Sequence, residues 1–116
     1  MDKKELEQRT KKFALRIIKL VNSLPKGQVG NVIGYQLLKS GTSIGANYHE
    51  AVRAESKADF IHKISIIEKE ANETLYWLEL LLESGTVKEE NLADLMDESG
   101  QLLAIFTATG RSAKKR

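Results

Sequence analysis

Apolar residues recur at intervals of three and four along almost the whole chain, and that period admits little besides α-helix. The longest run is Phe60, Ile64, Ile67, Ala71, Leu75, Leu78 and Leu82. It predicts one face of a helix over Lys57 to Ser84, with Ser56 and Asp59 as its capping pair and Gly85 as its stop. Leu6, Thr10, Phe13, Ile17, Leu20 and Leu24 repeat the pattern earlier. A first helix is therefore expected over Asp2 to Leu24, capped by Asp2 and ended by Pro25. Near the end, Leu92, Leu95, Met96, Ser99, Leu102, Leu103 and Phe106 mark another apolar face. The capping pattern Thr86-Val87-Lys88-Glu89 is expected to open that helix, Gly110 to end it, and residues 111 to 116 to form a frayed basic tail. No segment alternates with the period of a strand.

The remaining helix, expected over Val29 to Ala54, contains Ser40-Gly41-Thr42-Ser43-Ile44-Gly45-Ala46-Asn47-Tyr48-His49-Glu50-Ala51. Small and polar residues in a row usually mark a loop, yet Ile33, Leu37, Ile44, Tyr48 and Ala51 carry the helical spacing through it. Gly30, Gly34, Gly41 and Gly45 would each cost about 1 kcal/mol relative to Ala if they served nothing. Their presence predicts close helix packing, the alternative being a kink near Ser40 to Thr42. Beside the apolar face runs a polar stripe, Gln36, Ser40, Ser43, Asn47 and Glu50. On the next helix Glu70 and Glu73 lie one turn apart beside Trp77, the chain's single Trp. These seven residues form an expected structural polar seam, with Ser40 level with Ala71 across the second and third helices.

Four long amphipathic helices joined by short turns predict an all-α, antiparallel up-down-up-down bundle over residues 1 to 110. A chain of 116 residues is long enough for one such core without staples. It has no Cys, hence no disulfides and no thiolate chemistry. No apolar run reaches the roughly 18 residues of a membrane span, and the charged opening residues do not read as a signal peptide. A cytoplasmic location without membrane association is expected. Leu15, Ile18, Ile61, Ile66, Trp77 and Leu81 lie off the main seams, and this surplus apolar surface predicts a homo-oligomer.

The residues from Gln36 to Ala51 resemble the signature of the small bacterial four helix bundle proteins, also known as 23S ribosomal RNA intervening-sequence proteins. The family includes the accessory protein of diversity-generating retroelements. The resemblance continues through Ser56, through Asp59-Phe60-Ile61-His62-Lys63, and through Glu70-Ala71-Asn72-Glu73-Thr74-Leu75-Tyr76-Trp77-Leu78-Glu79-Leu80-Leu81. With Leu24-Pro25 it covers about half of the chain; Lys39 stands where many members carry Arg. It implies a homopentameric barrel of four-helix protomers. For the retroelement member it further implies nucleic acid and a reverse transcriptase as partners.

Three kinds of site come into question. Gly41-Thr42-Ser43-Ile44-Gly45 fits the nucleophile-elbow pattern, but that motif acts only at a strand-to-helix turn, and no strand precedes it. A di-iron bundle needs two Glu-x-x-His motifs; the chain has only His49 and His62, and Asp59 before His62 reads as a helix start. No catalytic residue, metal or cofactor is expected, and no enzymatic activity. The third kind is charge. Residues 1 to 24 carry +4, 25 to 56 carry +1, 57 to 85 carry −3, 86 to 110 carry −4 and 111 to 116 carry +4, for a net +2. In the expected topology one end gathers Lys3, Lys4, Arg9, Lys11, Lys12, Arg53, Lys57, Arg111, Lys114, Lys115 and Arg116. That end is the expected nucleic-acid-binding site, with RNA the favoured ligand and an adaptor role the favoured function. Arg9, Lys11 and Lys12 lie off the seam and are expected to be dispensable for folding. The alternative is a protein-interaction module that binds no nucleic acid.

Overall fold

Asp2 accepts a hydrogen bond from the Glu5 amide at 2.8 Å and so starts the first helix, α1, Lys3–Ser23. The computed structural model describes residues 1–115. Leu24 turns extended ahead of Pro25 and ends α1. The second helix, α2, runs unbroken over Gln28–Ala51, so the Ser40 to Thr42 stretch carries no kink. It stops three residues short of the expected Ala54. The third, α3, Lys57–Glu83, starts where Ser56 Oγ accepts from the Asp59 amide at 3.0 Å. It ends at Ser84, followed by Gly85 at a φ of +72°, a conformation that suits glycine.

The fourth helix departs from expectation at both ends. The Thr86 hydroxyl lies 2.7 Å from Ser84 Oγ instead of capping the Glu89 amide. The chain therefore makes a single 3-10 turn, Glu89–Asn91, before α4, Ala93–Lys115, begins. Gly110 does not stop α4. It is buried, and a Cβ there would sit 3.3 Å from Ile64 Cγ2, so its smallness serves helix contact. The basic residues after it belong to the helix up to Lys115, where cations suit the negative helix end. Arg116 lies outside the described residues.

Neighbouring helices run antiparallel. Gly34 lies against Val21 and Leu24, Gly41 against Ile17, and Gly45 against Thr10, which fixes α1 on α2. Ser40 with Thr74 and Glu50 with Lys63 fix α2 on α3, while Glu68 with Thr107 fixes α3 on α4. Of the adjacent pairs, α1 and α4 touch least. Four helices and no strand are present among the described residues, in a body of 46 × 20 × 20 Å.

The core holds the expected faces of α1 and α4, with Phe13, Ile17, Leu102 and Phe106 fully enclosed. Tyr48 meets Phe106 edge-on at 5.3 Å between ring centres. On α3 the seam is shifted by one residue at two places. Thr74 and Leu81 are buried where Leu75 and Leu82 were expected, so Leu81 belongs to the core and is no surplus surface. The tight approach also differs from expectation. On α2 the glycines serve α1, since a Cβ on Gly41 would lie 2.9 Å from Ile17 Cγ1 and one on Gly45 3.2 Å from the Thr10 carbonyl oxygen. Toward α3 the contact is made by hydroxyls, Ser40 Oγ and Thr74 Oγ1 at 2.9 Å, one turn from Ala71.

Candidate nucleic-acid interface

The antiparallel order brings the start of α1, the end of α2, the start of α3 and the end of α4 to one end. Every described residue of the expected basic set lies in the half of its helix nearer that end or in the turn beside it, with Lys11 and Lys12 next to the middle of α1. Lys3, Lys4, Arg9, Lys11 and Lys12 lie on α1, Arg53 lies just past α2, Lys57 opens α3, and Arg111, Lys114 and Lys115 lie on the last turns of α4. The acidic residues Glu79, Glu83, Glu89, Glu90 and Asp94 gather toward the other end.

The structure divides this set. Arg9 is not a free cation. Its Nε donates to Glu98 Oε2 and its Nη2 to Glu98 Oε1, each at 2.7 Å, and Nη2 also reaches Gln101 Oε1 at 2.7 Å. The hydrogen bond to Glu98 outweighs partial burial and, with the charges of Glu98 and Asp97, raises the Arg9 pKa. Arg9 thus ties α1 to α4 and is partly buried, where its off-seam position predicted a free charge, so its neutralisation is expected to cost stability.

Lys4, Lys11 and Arg53 instead line a groove of about 610 Å³ between α1 and α2. Small residues, Ala14, Gly45 and Ala46, leave it unfilled, and Gln8, Thr42 and His49 complete its lining with Glu7. Arg53 Nη1 donates to the His49 carbonyl at 2.6 Å and to Glu7 Oε2 at 3.2 Å. The same Glu7 oxygen lies 3.3 Å from His49 Nδ1. Sequence reasoning missed Gln8 and His49 as groove residues. The available signal was spacing: Lys4, Gln8 and Lys11 share one face of α1, as Ala46 and His49 share one face at the end of α2, with Arg53 in the turn just past it.

The expected polar seam is mostly a flank. Of its seven residues only Ser40 is buried. Ser43 Oγ donates to the Lys39 carbonyl at 2.6 Å and Asn47 Nδ2 to the Ser43 carbonyl at 2.8 Å, both within α2. Glu50 accepts from Lys63 Nζ at 3.0 Å, a bond that raises the Lys63 pKa. Glu73 accepts from Trp77 Nε1 at 3.2 Å. Burial, followed by the neighbouring Glu73 charge, pushes the Glu70 carboxyl up, against the opposing pull of Lys69 and Lys39. Gln36 is half-buried.

The family described as 23S rRNA-intervening sequence protein matches residues 2–108. The chain belongs to that family. A crystal structure of a protein of unknown function from the S23 ribosomal protein family of Bacteroides thetaiotaomicron VPI-5482 shares 39% identity with it. That match covers 96% of this chain and 99% of the other, with a TM-score of 0.87. No curated protein matches the chain. Among the described residues of this family member, no helix is long and apolar enough to cross a membrane.

Proposed function

We propose that this chain is a non-enzymatic, oligomeric adaptor of the 23S rRNA-intervening sequence family that binds nucleic acid, RNA foremost, through its basic end. The observation carrying this reading is the segregation of charge by the fold. A net charge of only +2 resolves into a cationic end and an anionic end. Such an end attracts a polyphosphate without reading its sequence. The groove adds a place where cations converge with one carboxylate between them.

Fluorescence anisotropy with a labelled single-stranded RNA tests the reading. Binding is expected at low salt and is expected to weaken by about tenfold or more between roughly 50 and 200 mM salt, as counterion release requires. Replacing Lys26 and Lys88, at the far end, should change little. An equal loss from those two and from the basic-end lysines would mean diffuse attraction without a site.

A second reading, an assembly module that binds no nucleic acid, draws on a separate observation. Leu15, Ile18, Val29, Val32, Tyr35 and Leu38 are exposed large apolar residues, all on α1 and α2. Absence of RNA binding by the parent protein at low salt would favour it. On either reading the exposed apolar face supports self-association, with a homopentamer the assembly proposed.

A further inference from the structure

Arg53 is held by one nitrogen only. Nη1 takes the Glu7 carboxylate and the His49 carbonyl, while Nε and Nη2 have no hydrogen bond or ion pair among the described residues. Those two nitrogens form the side of the guanidinium that Arg9 uses to grip Glu98 with two bonds of 2.7 Å. Arg9 therefore shows, inside the same protein, what this edge does when an oxyanion is present. At Arg53 the other nitrogen positions the edge, beside the groove that Lys4 and Lys11 also line.

The rest of the groove fits the same ligand. Lys4 and Lys11 are seven residues apart, about 10.5 Å along the α1 axis, a length over which a nucleic-acid strand presents more than one phosphate. Among the described residues the only carboxylate lining the groove is Glu7, and its Oε2 already faces Arg53 and His49. The large groove at the far end, of about 860 Å³, differs in this respect. There Arg16, Lys19 and Lys88 stand against Glu90 and Asp94.

We infer that the α1–α2 groove is a phosphate site in which Arg53 takes two non-bridging oxygens of one phosphodiester through Nε and Nη2, and Lys4 and Lys11 neutralise its neighbours. The inference rests on the nucleic-acid reading above and places the contact in one groove of the basic end. Lys3, Lys12, Lys57 and the α4 cations then supply attraction without a fixed contact.

Arg53→Lys tests the edge, because it keeps the charge and removes the fork. With the full-length protein and single-stranded RNA at low salt, Arg53→Lys should weaken binding about fivefold or more, the worth of one bidentate contact. Lys12→Ala, a control at the same end but outside the groove, should weaken it less. Lys4→Ala and Lys11→Ala should each reduce the salt slope by about 0.7, one single-strand phosphate contact apiece. Thermal melts should leave Arg53→Lys near the parent, since Arg53 is exposed. Lys12→Ala weakening binding as much as Arg53→Lys would overturn the groove and leave the nucleic-acid reading standing.

A parent protein that binds no RNA would sink that reading, and the groove is then judged by NMR titration with inorganic pyrophosphate. Shifts at the Arg53 Nε–H, with saturable shifts at the backbone amides of the groove residues that Arg53→Lys weakens and with Arg9 unmoved, would keep it as a phosphate site. No shift at Arg53 would overturn it as well.

Discussion

Gly41 and Gly100 sit inside long helices, and their surroundings assign them opposite signs. A Cβ on Gly41 would lie 2.9 Å from Cγ1 and 3.0 Å from Cγ2 of Ile17, a branched side chain with no exposure and nowhere to swing. Gly41→Ala should therefore destabilise the fold by about 1–3 kcal/mol, the usual cost of overpacking. Gly100 has nothing within 4 Å of the same position. There Ala should stabilise by about 1 kcal/mol through helix propensity alone. Urea unfolding of the two variants checks the pair, and matching effects would mean that glycine in these helices answers to propensity only. The sequence made it legible that the glycines of α2 had a packing role. It did not say against which helix, because a missing side chain has no direction. The Gly41 and Gly45 contacts are with α1, whereas Ser40 with Thr74 meets α3.

The error over Arg9 arises between helices. Spacing placed Arg9 off the apolar seam, and an off-seam cation on one helix reads as a solvated charge. In a bundle the flank of one helix faces the flank of the next, and here the partner Glu98 is 89 residues away in sequence. Nothing local to α1 announces it. The start of α4 is a local matter instead: the Thr86 hydroxyl pairs with Ser84, two residues away, and not with the amide of Glu89. Because α1 and α4 touch least among the adjacent helices, the fork of Arg9 on Glu98 is expected to matter more than a surface ion pair. Arg9→Met should cost about 1–2 kcal/mol, given two charge-assisted bonds in a partly buried site. Glu98→Gln in the same background should then cost little more, so that a double-mutant cycle returns most of the loss as coupling. Additive losses would show that the two residues act separately.

For the whole molecule, the legible part of the sequence was the number and order of helices and the end at which the cations gather. Surplus apolar surface was legible as a quantity but less well as a place. Leu15 and Ile18 are exposed as expected, while Val29, Val32, Tyr35 and Leu38 join them with exposures from 36% at Leu38 to 63% at Tyr35. Those four follow a strict spacing of three along α2, which turns by about 60° at each step and so winds round the helix from one flank of the buried face toward the other; no three-four pattern marks them as a face. Among the described residues α4 has no exposed large apolar residue, and α3 offers Tyr76, stacked edge-on against Trp77 at 5.1 Å.

Two unlike apolar patches on one protomer suit a head-to-tail contact, and a ring with an odd number of subunits requires one. If the α1–α2 face of one copy covers the Tyr76 patch of the next, light scattering should give a multiple of 13.0 kDa for the parent. Tyr35→Glu with Leu38→Glu should then yield a folded monomer, and Tyr76→Glu should do the same from the other side. Mixing the two variants leaves one intact pairing, between the unaltered α1–α2 face of one and the unaltered Tyr76 patch of the other. The mixture should therefore form dimers and nothing larger. A two-fold contact of the α1–α2 face with itself gives a different result, because Tyr76→Glu would keep the parent's mass and mixing would add nothing. A parent mass of 13.0 kDa at micromolar concentration would remove the assembly altogether.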